Sequence, residues 1–331
     1  MTELPFKRHS LLFAPMEGVT DGPYREAVNK SFGEWDYFST DFYRVPSVGR
    51  INPKSILKHY GIGALENKSL NKKTSIQILT SAKAQTQEVV KTIDDLGFHH
   101  LDLNLGCPSK KVNAHKGGAY LLQDLPILKD IIRTIRSNFN GVFTVKIRTG
   151  YKDDSLFLDL LKLLEDEGAQ AITLHARTRD QLYKGRADWS YIKKAVKFSN
   201  IPVIGNGDVW TLEDIRNIYE ECNPYAIMFG RGALKTPWLA DQYSRYKDNI
   251  DFLSDKILLD ERKEALHIYF HELEREYRKI DLSDEHILKR FKSYSRYLFD
   301  DFHDAEKIKS LLLRSRDLNE FKYHQLSQLE Q

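Results

Sequence analysis

The sequence predicts an α/β fold: a (β/α)8 TIM barrel over residues 1–245, followed by an all-α helical bundle over residues 246–331. Three observations predict it. Eight short apolar, β-branched runs each end in polar or glycine residues, and segments with helical spacing separate most of them. From Leu253 onward the chain contains neither proline nor glycine and keeps a helical period.

The eight runs are SLLFAPM (10–16), YFST (37–40), SIQIL (75–79), HHLDLNLG (99–106), FTVKIRTG (143–150), AITLHA (171–176), IPVIGNG (201–207) and AIMFGRG (226–232). Strands this continuously apolar are buried on both faces, which is the signature of a parallel sheet covered by helices. The covering helices are legible in AQTQEVVKTIDDLG, LPILKDIIRTIRSNF, DSLFLDLLKLLEDEG and TLEDIRNIYEEC. Eight such units close into a barrel whose active site lies at the C-terminal ends of the strands. A doubly wound open sheet is the structural rival. Past the barrel, ILLDERKEALHIYFHELEREY and EHILKRFKSYSRYLFDDF repeat their apolar residues at helical spacing.

Composition narrows the setting. The chain has 331 residues, 41% hydrophobic and 29% charged, ordinary values for a globular protein. No apolar run approaches the roughly 18 residues that span a membrane, and MTELPFKRHS lacks the apolar core of a secretory signal, so a cytoplasmic location is expected. The two cysteines, Cys107 and Cys222, are then expected to be free. The net charge of +3 hides an asymmetry: residues 241–331 carry 17 Lys+Arg against 20 Asp+Glu, whereas residues 1–240 are net positive by six.

The strand ends supply Met16, Asp41, Gln77, Asn104 with Cys107, Lys146 with Arg148, His175 with Arg177, Asn206 with Gly207, and Gly230 with Arg231. Each alone has a structural explanation, as a strand-end hydrogen bonder or a rim ion-pair partner. Together they make one polar rim. Cys107 follows Gly106 and precedes Pro108, where a strand must end, which is the place of a working residue. GNGD (205–208) and FGRG (229–232) bring glycine backbone close to an anion, and Arg231 adds a bidentate charge. Two turns that simply need positive φ are the alternative. A flavin with a ribityl phosphate tail suits such a mouth, and Lys146 would stabilise the negative charge of its reduced form.

At this point the motifs APMEGVTD (14–21), LDLNLGCPSKKV (101–112), VKIRTG (145–150), LHARTRDQLYKGRADW (174–189), IPVIGNGDVW (201–210) and MFGRGAL (228–234) resemble those of the tRNA-dihydrouridine synthases, in order and with similar spacing from about residue 10 to residue 240. In appearance they come nearest to the bacterial subgroup that modifies uridine 16. The resemblance implies an FMN enzyme, with NADPH or NADH as electron donor, that reduces a D-loop uridine of tRNA to 5,6-dihydrouridine. Hydride would pass from flavin N5 to C6, and a proton from Cys107 to C5, on opposite faces of the base. It implies that Ala14, Pro15 and Met16 line the flavin, and that Gln77, Lys146 and His175 contact its ring. Asn206, Gly207, Asp208, Gly230 and Arg231 would hold its phosphate. Asn104 would meet the uracil edge, and Arg177, Lys110 and Lys111 the RNA. A thiol near its ordinary pKa of about 8.5 stays protonated at neutral pH yet can release its proton. One departure stands out: Thr40-Asp41 occupies a place where the family usually carries Thr-Glu or Ser-Glu.

The family's C-terminal helical domain binds tRNA. Here HILKRFKSYSRY (286–297) interleaves Lys289, Arg290, Lys292 and Arg296 with Phe291, Tyr294 and Tyr297, so that charges would meet phosphates while aromatics pack inward or stack on bases. A solvated face over core aromatics is the alternative. The expected partner is tRNA; no metal, membrane or protein partner is implied, and a monomer is expected. Two other readings compete: an FMN barrel that reduces free pyrimidines, and a non-catalytic tRNA-binding module.

Overall fold

The structure, a computed structural model, describes residues 3–329. One parallel sheet contains β1 (Leu11–Phe13), β2 (Tyr37–Ser39), β3 (Tyr43–Arg44), β4 (Thr74–Leu79), β5 (His100–Asn104), β6 (Val142–Arg148), β7 (Ala171–His175), β8 (Val203–Asn206) and β9 (Ala226–Phe229). Pairing runs β2-β1-β9-β8-β7-β6-β5-β4, and a further β2–β4 pairing closes the ring. Eight strands therefore form the expected barrel. The two-residue β3 adds to β4 through Tyr43 opposite Ile78 and Arg44 opposite Leu79; it is too short to carry a sequence pattern.

Register explains where side chains meet. Gln77 of β4 lies opposite Asp102 of β5, which lies opposite Thr144 of β6. One step nearer the C-terminal rim, Asn104 lies opposite Lys146, which lies opposite Thr173. Side chains alternate between the two faces of a strand, so these residues stack as two inward layers.

The helices after β4, β5 and β6 follow the expected logic. In Leu125–Asn138 the Asp124 carboxylate accepts from the Ile127 N–H, Pro126 occupies the first turn, and Leu128, Ile131, Ile132 and Ile135 form the buried stripe. Thr86–Asp95 buries Val89, Val90 and Ile93, and Phe157–Asp166 buries Phe157, Leu160, Leu161 and Leu164.

By packing, the chain divides into two compact units. The first comprises the residues up to Gly22, Asp36–Val209 and Asp214–Gly230, and holds the whole sheet. The second comprises Pro23–Trp35, Trp210–Glu213 and the chain from Arg231 onward. Its helices include Asp255–Lys279, Asp284–Leu298, Ala305–Arg314 and Leu318–Leu329. Phe270, Phe291 and Phe321 form a ring cluster with centroids 4.9 to 5.5 Å apart. Beside it, buried tyrosine hydroxyls pair with one another, Tyr269 with Tyr24 at 3.2 Å and Tyr277 with Tyr294 at 2.6 Å, so no hydroxyl of these pairs is buried without a partner. Among the described residues no helix is long and apolar enough to cross a membrane.

Candidate active site at the barrel rim

Cys107 sits at the end of β5 and is 8% exposed. The Asn104 side chain sets its position: Oδ1 accepts from the backbone N–H of Gly106 at 3.0 Å and of Cys107 at 2.9 Å. Asn113 Nδ2 donates to the Cys107 carbonyl at 3.1 Å and to Ser109 O at 2.7 Å. Gly118, at φ +57°, completes the fit, because a Cβ there would lie 3.3 Å from Cys107 Cβ and 3.0 Å from Val112 Cγ1. Burial pushes the thiol pKa up, with Glu17 acting in the same direction and Arg44 and Arg148 opposing it, so the group remains a thiol at neutral pH.

Gln77 is fully buried, and its amide joins two layers: Nε2 donates to Asp102 Oδ2 at 2.7 Å, while Oε1 accepts from Asn104 Nδ2 at 2.7 Å. Lys146 projects from β6 and donates to Asn206 Oδ1 at 3.1 Å. It keeps part of its surface open, yet desolvation and the neighbouring Arg148 lower its pKa to about 8 against the opposing pull of Asp102. Asn206 Nδ2 in turn donates to Met228 O at 2.7 Å. The Asn206 amide is thus engaged with protein on both sides.

On the next side of the rim, buried Arg177 donates to Asp208, to Gly185 O at 2.7 Å and to His175 Nε2 at 3.2 Å. A guanidinium only donates, so His175 presents a lone pair to it at Nε2 and carries its ring proton at Nδ1. Asp208 also accepts from the Ala187 N–H at 2.7 Å; its carboxylate orients Arg177 and the following loop. Gly207 has φ +120°, and a Cβ there would fall 2.9 Å from both Ala187 Cβ and His175 Cδ2. Trp189 Nε1 donates to its carbonyl at 2.8 Å.

Of the other rim candidates, Ala14 is buried and its N–H donates to Phe229 O at 2.9 Å, while Pro15 and Met16 are half-buried. Asp41 accepts from the Gly18 N–H at 3.3 Å and lies 3.4 Å from His59 Nε2, so the shorter carboxylate still ties the first rim loop. Gly230 borders open space, with nothing within 4 Å of a Cβ built there. Lys110 and Lys111 are exposed on the short helix Lys110–Ala114 that follows the thiol. Lys111 also lines an open cleft of about 880 Å³ together with Arg44, Lys83, His115 and Lys116, all of one charge sign or neutral.

The candidates of the second unit stand apart in character. Arg231 lies 5.0 Å from the Trp210 ring centroid. Lys289 is exposed and paired with Glu285 at 2.6 Å, and Arg290 packs over the Tyr277 ring at 5.9 Å. Lys292 is half-buried and Arg296 exposed. Phe291 and Tyr294 are buried in the core, which takes both out of reach of a base.

Four residues escape the strand-end reading. Asp102, Thr144, His100 and Tyr37 lie deeper in the barrel, joined by Thr144 Oγ1 to Asp102 Oδ1 at 2.5 Å, His100 Nε2 to Thr144 Oγ1 at 2.9 Å and Tyr37 OH to His100 Nδ1 at 2.7 Å. The signal was present in LDLNLG, where Asp102 and Asn104 alternate with leucines and so share the inward face. Arg148, also fully buried, donates to Gly106 O, Thr178 O and Leu182 O, each at 2.9 Å, and braces the Cys107 loop from β6.

Comparison with known proteins shows the family to which the chain belongs. The sequence profile described as Dihydrouridine synthase (Dus) matches residues 12–328. A protein named tRNA-dihydrouridine(16) synthase from Pseudomonas syringae pv. tomato is 36% identical over 236 residues, covering 70% of this chain and 74% of its own. Its namesake from Neisseria meningitidis serogroup B is 33% identical, covering 75% and 74%. The tRNA-dihydrouridine synthase B of Pasteurella multocida is 32% identical, covering 70% and 68%. Among solved structures, a 2-naphthoyl-CoA reductase complex is 9% identical with a TM-score of 0.54, covering 71% of this chain and half of its own length, and it shares the fold.

Proposed function

The chain belongs to the dihydrouridine synthase family, and on that premise we propose that it is an FMN-dependent, NADPH-driven enzyme that reduces a D-loop uridine of tRNA, U16, to 5,6-dihydrouridine. The single observation that carries this reading is Cys107. It is a thiol held at the rim by two side chains that bond its backbone, and burial outweighs the Ser109 backbone N–H that favours the thiolate.

The rim fits a flavin. Gly230 leaves free space beside its backbone, and Lys146 is a cation already short of water, which an anionic ring edge would compensate. Lys146 and His175 would face the ring, with Gly207 and Gly230 at the phosphate, whereas Gln77, expected from the sequence to touch the ring, is fully buried with both ends of its amide engaged and lies a layer beneath. When bound, the flavin supplies the two-electron reduction of the uracil C5–C6 bond.

The chain's own residues do the rest. Cys107 keeps a proton on Sγ and gives it to C5, as a general acid must when charge builds there. Asn104 holds that thiol in place and retains one Nδ2 hydrogen for the base edge, since its other groups are engaged. Lys146 keeps positive charge at the mouth while electrons enter. The target uridine must leave its stack to reach this rim. Lys110, Lys111 and the basic cleft beside the thiol loop would meet flanking phosphates, which position the RNA without reading its sequence. Residues 1–245 would carry catalysis and 246–331 tRNA binding.

The choice of U16 leans on the names of two relatives, at 36% and 33% identity, against a synthase B at 32%. The test is mass mapping of dihydrouridine in tRNA from cells lacking this gene, with restoration by the purified protein, FMN and NADPH. Loss at position 16 alone agrees with the proposal. Unchanged dihydrouridine at every position refutes it.

A further inference from the structure

A buried carboxylate in a barrel interior needs a reason, and Asp102 is 4% exposed. Burial raises its pKa to about 6, against the lowering effects of Thr144, Gln77 and Lys146, so it is mostly ionised at neutral pH. An ionised carboxylate holds no hydrogen and can only accept. This one fact orders every group bonded to it.

On the Oδ2 side the Gln77 amide must turn its NH2 toward Asp102, so its Oε1 faces the opposite way. Oε1 can only accept, so Asn104 must present its NH2 there, which turns Asn104 Oδ1 toward the Gly106 and Cys107 N–H groups. On the Oδ1 side the Thr144 hydroxyl donates to Asp102 and must accept from His100 Nε2–H. His100 Nδ1 then accepts from the Tyr37 hydroxyl. That arm requires a neutral imidazole, and burial does hold the His100 pKa down to about 3. Both arms point toward Asp102, and no bond in either is left without a matching donor and acceptor.

We propose that Asp102 is a positioning residue for Cys107: its charge fixes the direction of the Gln77 and Asn104 amides, and thereby the acceptor that holds the thiol loop. Were the carboxylate neutral or replaced by an amide, Gln77 could reverse, Asn104 would reverse with it, and an NH2 would face the Cys107 N–H. The charged and titratable groups around Asp102 are Lys146 from β6, His100 from its own strand and, through His100, Tyr37 from β2; Arg148 acts on Lys146 from the same strand. The inference deepens the proposed role of Cys107. Its test uses neither tRNA nor nicotinamide, so it stands or fails separately from that reading.

The measurement is the rate of Cys107 alkylation by iodoacetamide at pH 8, in the protein as purified, followed by mass spectrometry of the peptide that carries it. Asp102→Asn and Gln77→Met should each raise the rate roughly three- to tenfold, the range expected for losing one buried hydrogen bond that holds the loop. The double variant should match the singles and not their product, because both cut the same arm. Thr144→Val cuts the other arm and should leave the rate within about twofold. Multiplicative effects in the double variant, or an equal rise in Thr144→Val, would mean that Cys107 senses general loosening, and the relay would be wrong.

A second readout separates positioning from support. Because the folded pKa of Asp102 lies above its value of 3.8 in water, the stability that protonation lends is present below about pH 4 and lost as pH rises through 6. Asp102→Asn should therefore gain unfolding midpoint relative to the parent between pH 4 and pH 7.5, while its Cys107 becomes more reactive. A variant that loses midpoint as pH rises would show Asp102 to be an ordinary structural acceptor.

Discussion

In the barrel, Gln77, Asp102, Asn104 and Thr144 are joined by bonds that span 25 to 42 residues of sequence, and each has a single workable direction. In the helical unit, by contrast, many charges on the helix surfaces pair over three or four residues, as Lys289 with Glu285 and Arg278 with Glu274, beside a few longer pairs such as Lys322 with Glu274 and Arg262 with Asp301. The hydroxyls of its core pair among themselves, and either oxygen of the Tyr277–Tyr294 pair can donate. The difference is one of replaceability. Short-range surface pairs contribute about 0.3–0.5 kcal/mol each and can be exchanged, whereas a buried directed set leaves a bare polar group behind whenever one member is lost. Polar groups kept inside a barrel at that cost mark the chemistry; charges on a helix surface do so only if a ligand uses them.

The largest effect that would sharpen this contrast is on folding. Arg177→Ala removes the charge partner of Asp208 and withdraws the donor to His175, and should lower the unfolding free energy by about 3 kcal/mol, somewhat reduced because Asp208 is 17% exposed and keeps the Ala187 N–H. Chemical denaturation measures it, and a loss below about 1 kcal/mol would place this pair with the exchangeable surface charges. Next comes Gly207→Ala, which forces a left-handed backbone and a 2.9 Å approach to His175 on any side chain. A cost of roughly 1–3 kcal/mol is expected, together with weaker retention of FMN after dialysis. Unchanged stability would show that the loop relaxes without consequence.

The smallest folding effect concerns the helical unit. Replacing Lys289, Arg290, Lys292 and Arg296 together by Gln should change stability by less than about 1 kcal/mol, since an exposed ion pair such as Lys289 with Glu285 and a ring contact such as Arg290 over Tyr277 each contribute little. If these residues nevertheless meet phosphates, the salt dependence of tRNA binding should fall by about 0.7 to 0.9 per contact removed. An unaltered slope would leave them as a solvated face. A large loss of stability would place these charges with the buried, directed set of the barrel.

How much of this was legible in the sequence follows from the same contrast. Apolar runs and helical spacing are local signals, so all eight barrel strands were readable, and Tyr43–Arg44 was not, being two residues long. The rim residues were readable because strand ends are positions along the chain. The partners that direct them were not: Asp102 meets Thr144 across 42 residues, and which oxygen faces which amide depends on register. Likewise HILKRFKSYSRY showed its mixture of charge and aromatic groups, but only packing shows Phe291 and Tyr294 to be core.

Transfer of the Cys107 proton to the uracil is read out by the rate at which reduced flavin is reoxidised by tRNA. The bound flavin of each variant is reduced anaerobically with NADPH, unmodified tRNA is added, and reoxidation is followed in a single turnover. Cys107→Ala should bind FMN, accept electrons from NADPH and bind tRNA as the parent does, yet reoxidise about 10² to 10⁴ times more slowly, the usual loss for a general acid. Cys107→Ser should recover little of that rate, because a hydroxyl is a far weaker acid than a thiol. Reoxidation of Cys107→Ala at the parent rate would contradict the account, and the proton would have to come from another group at the rim.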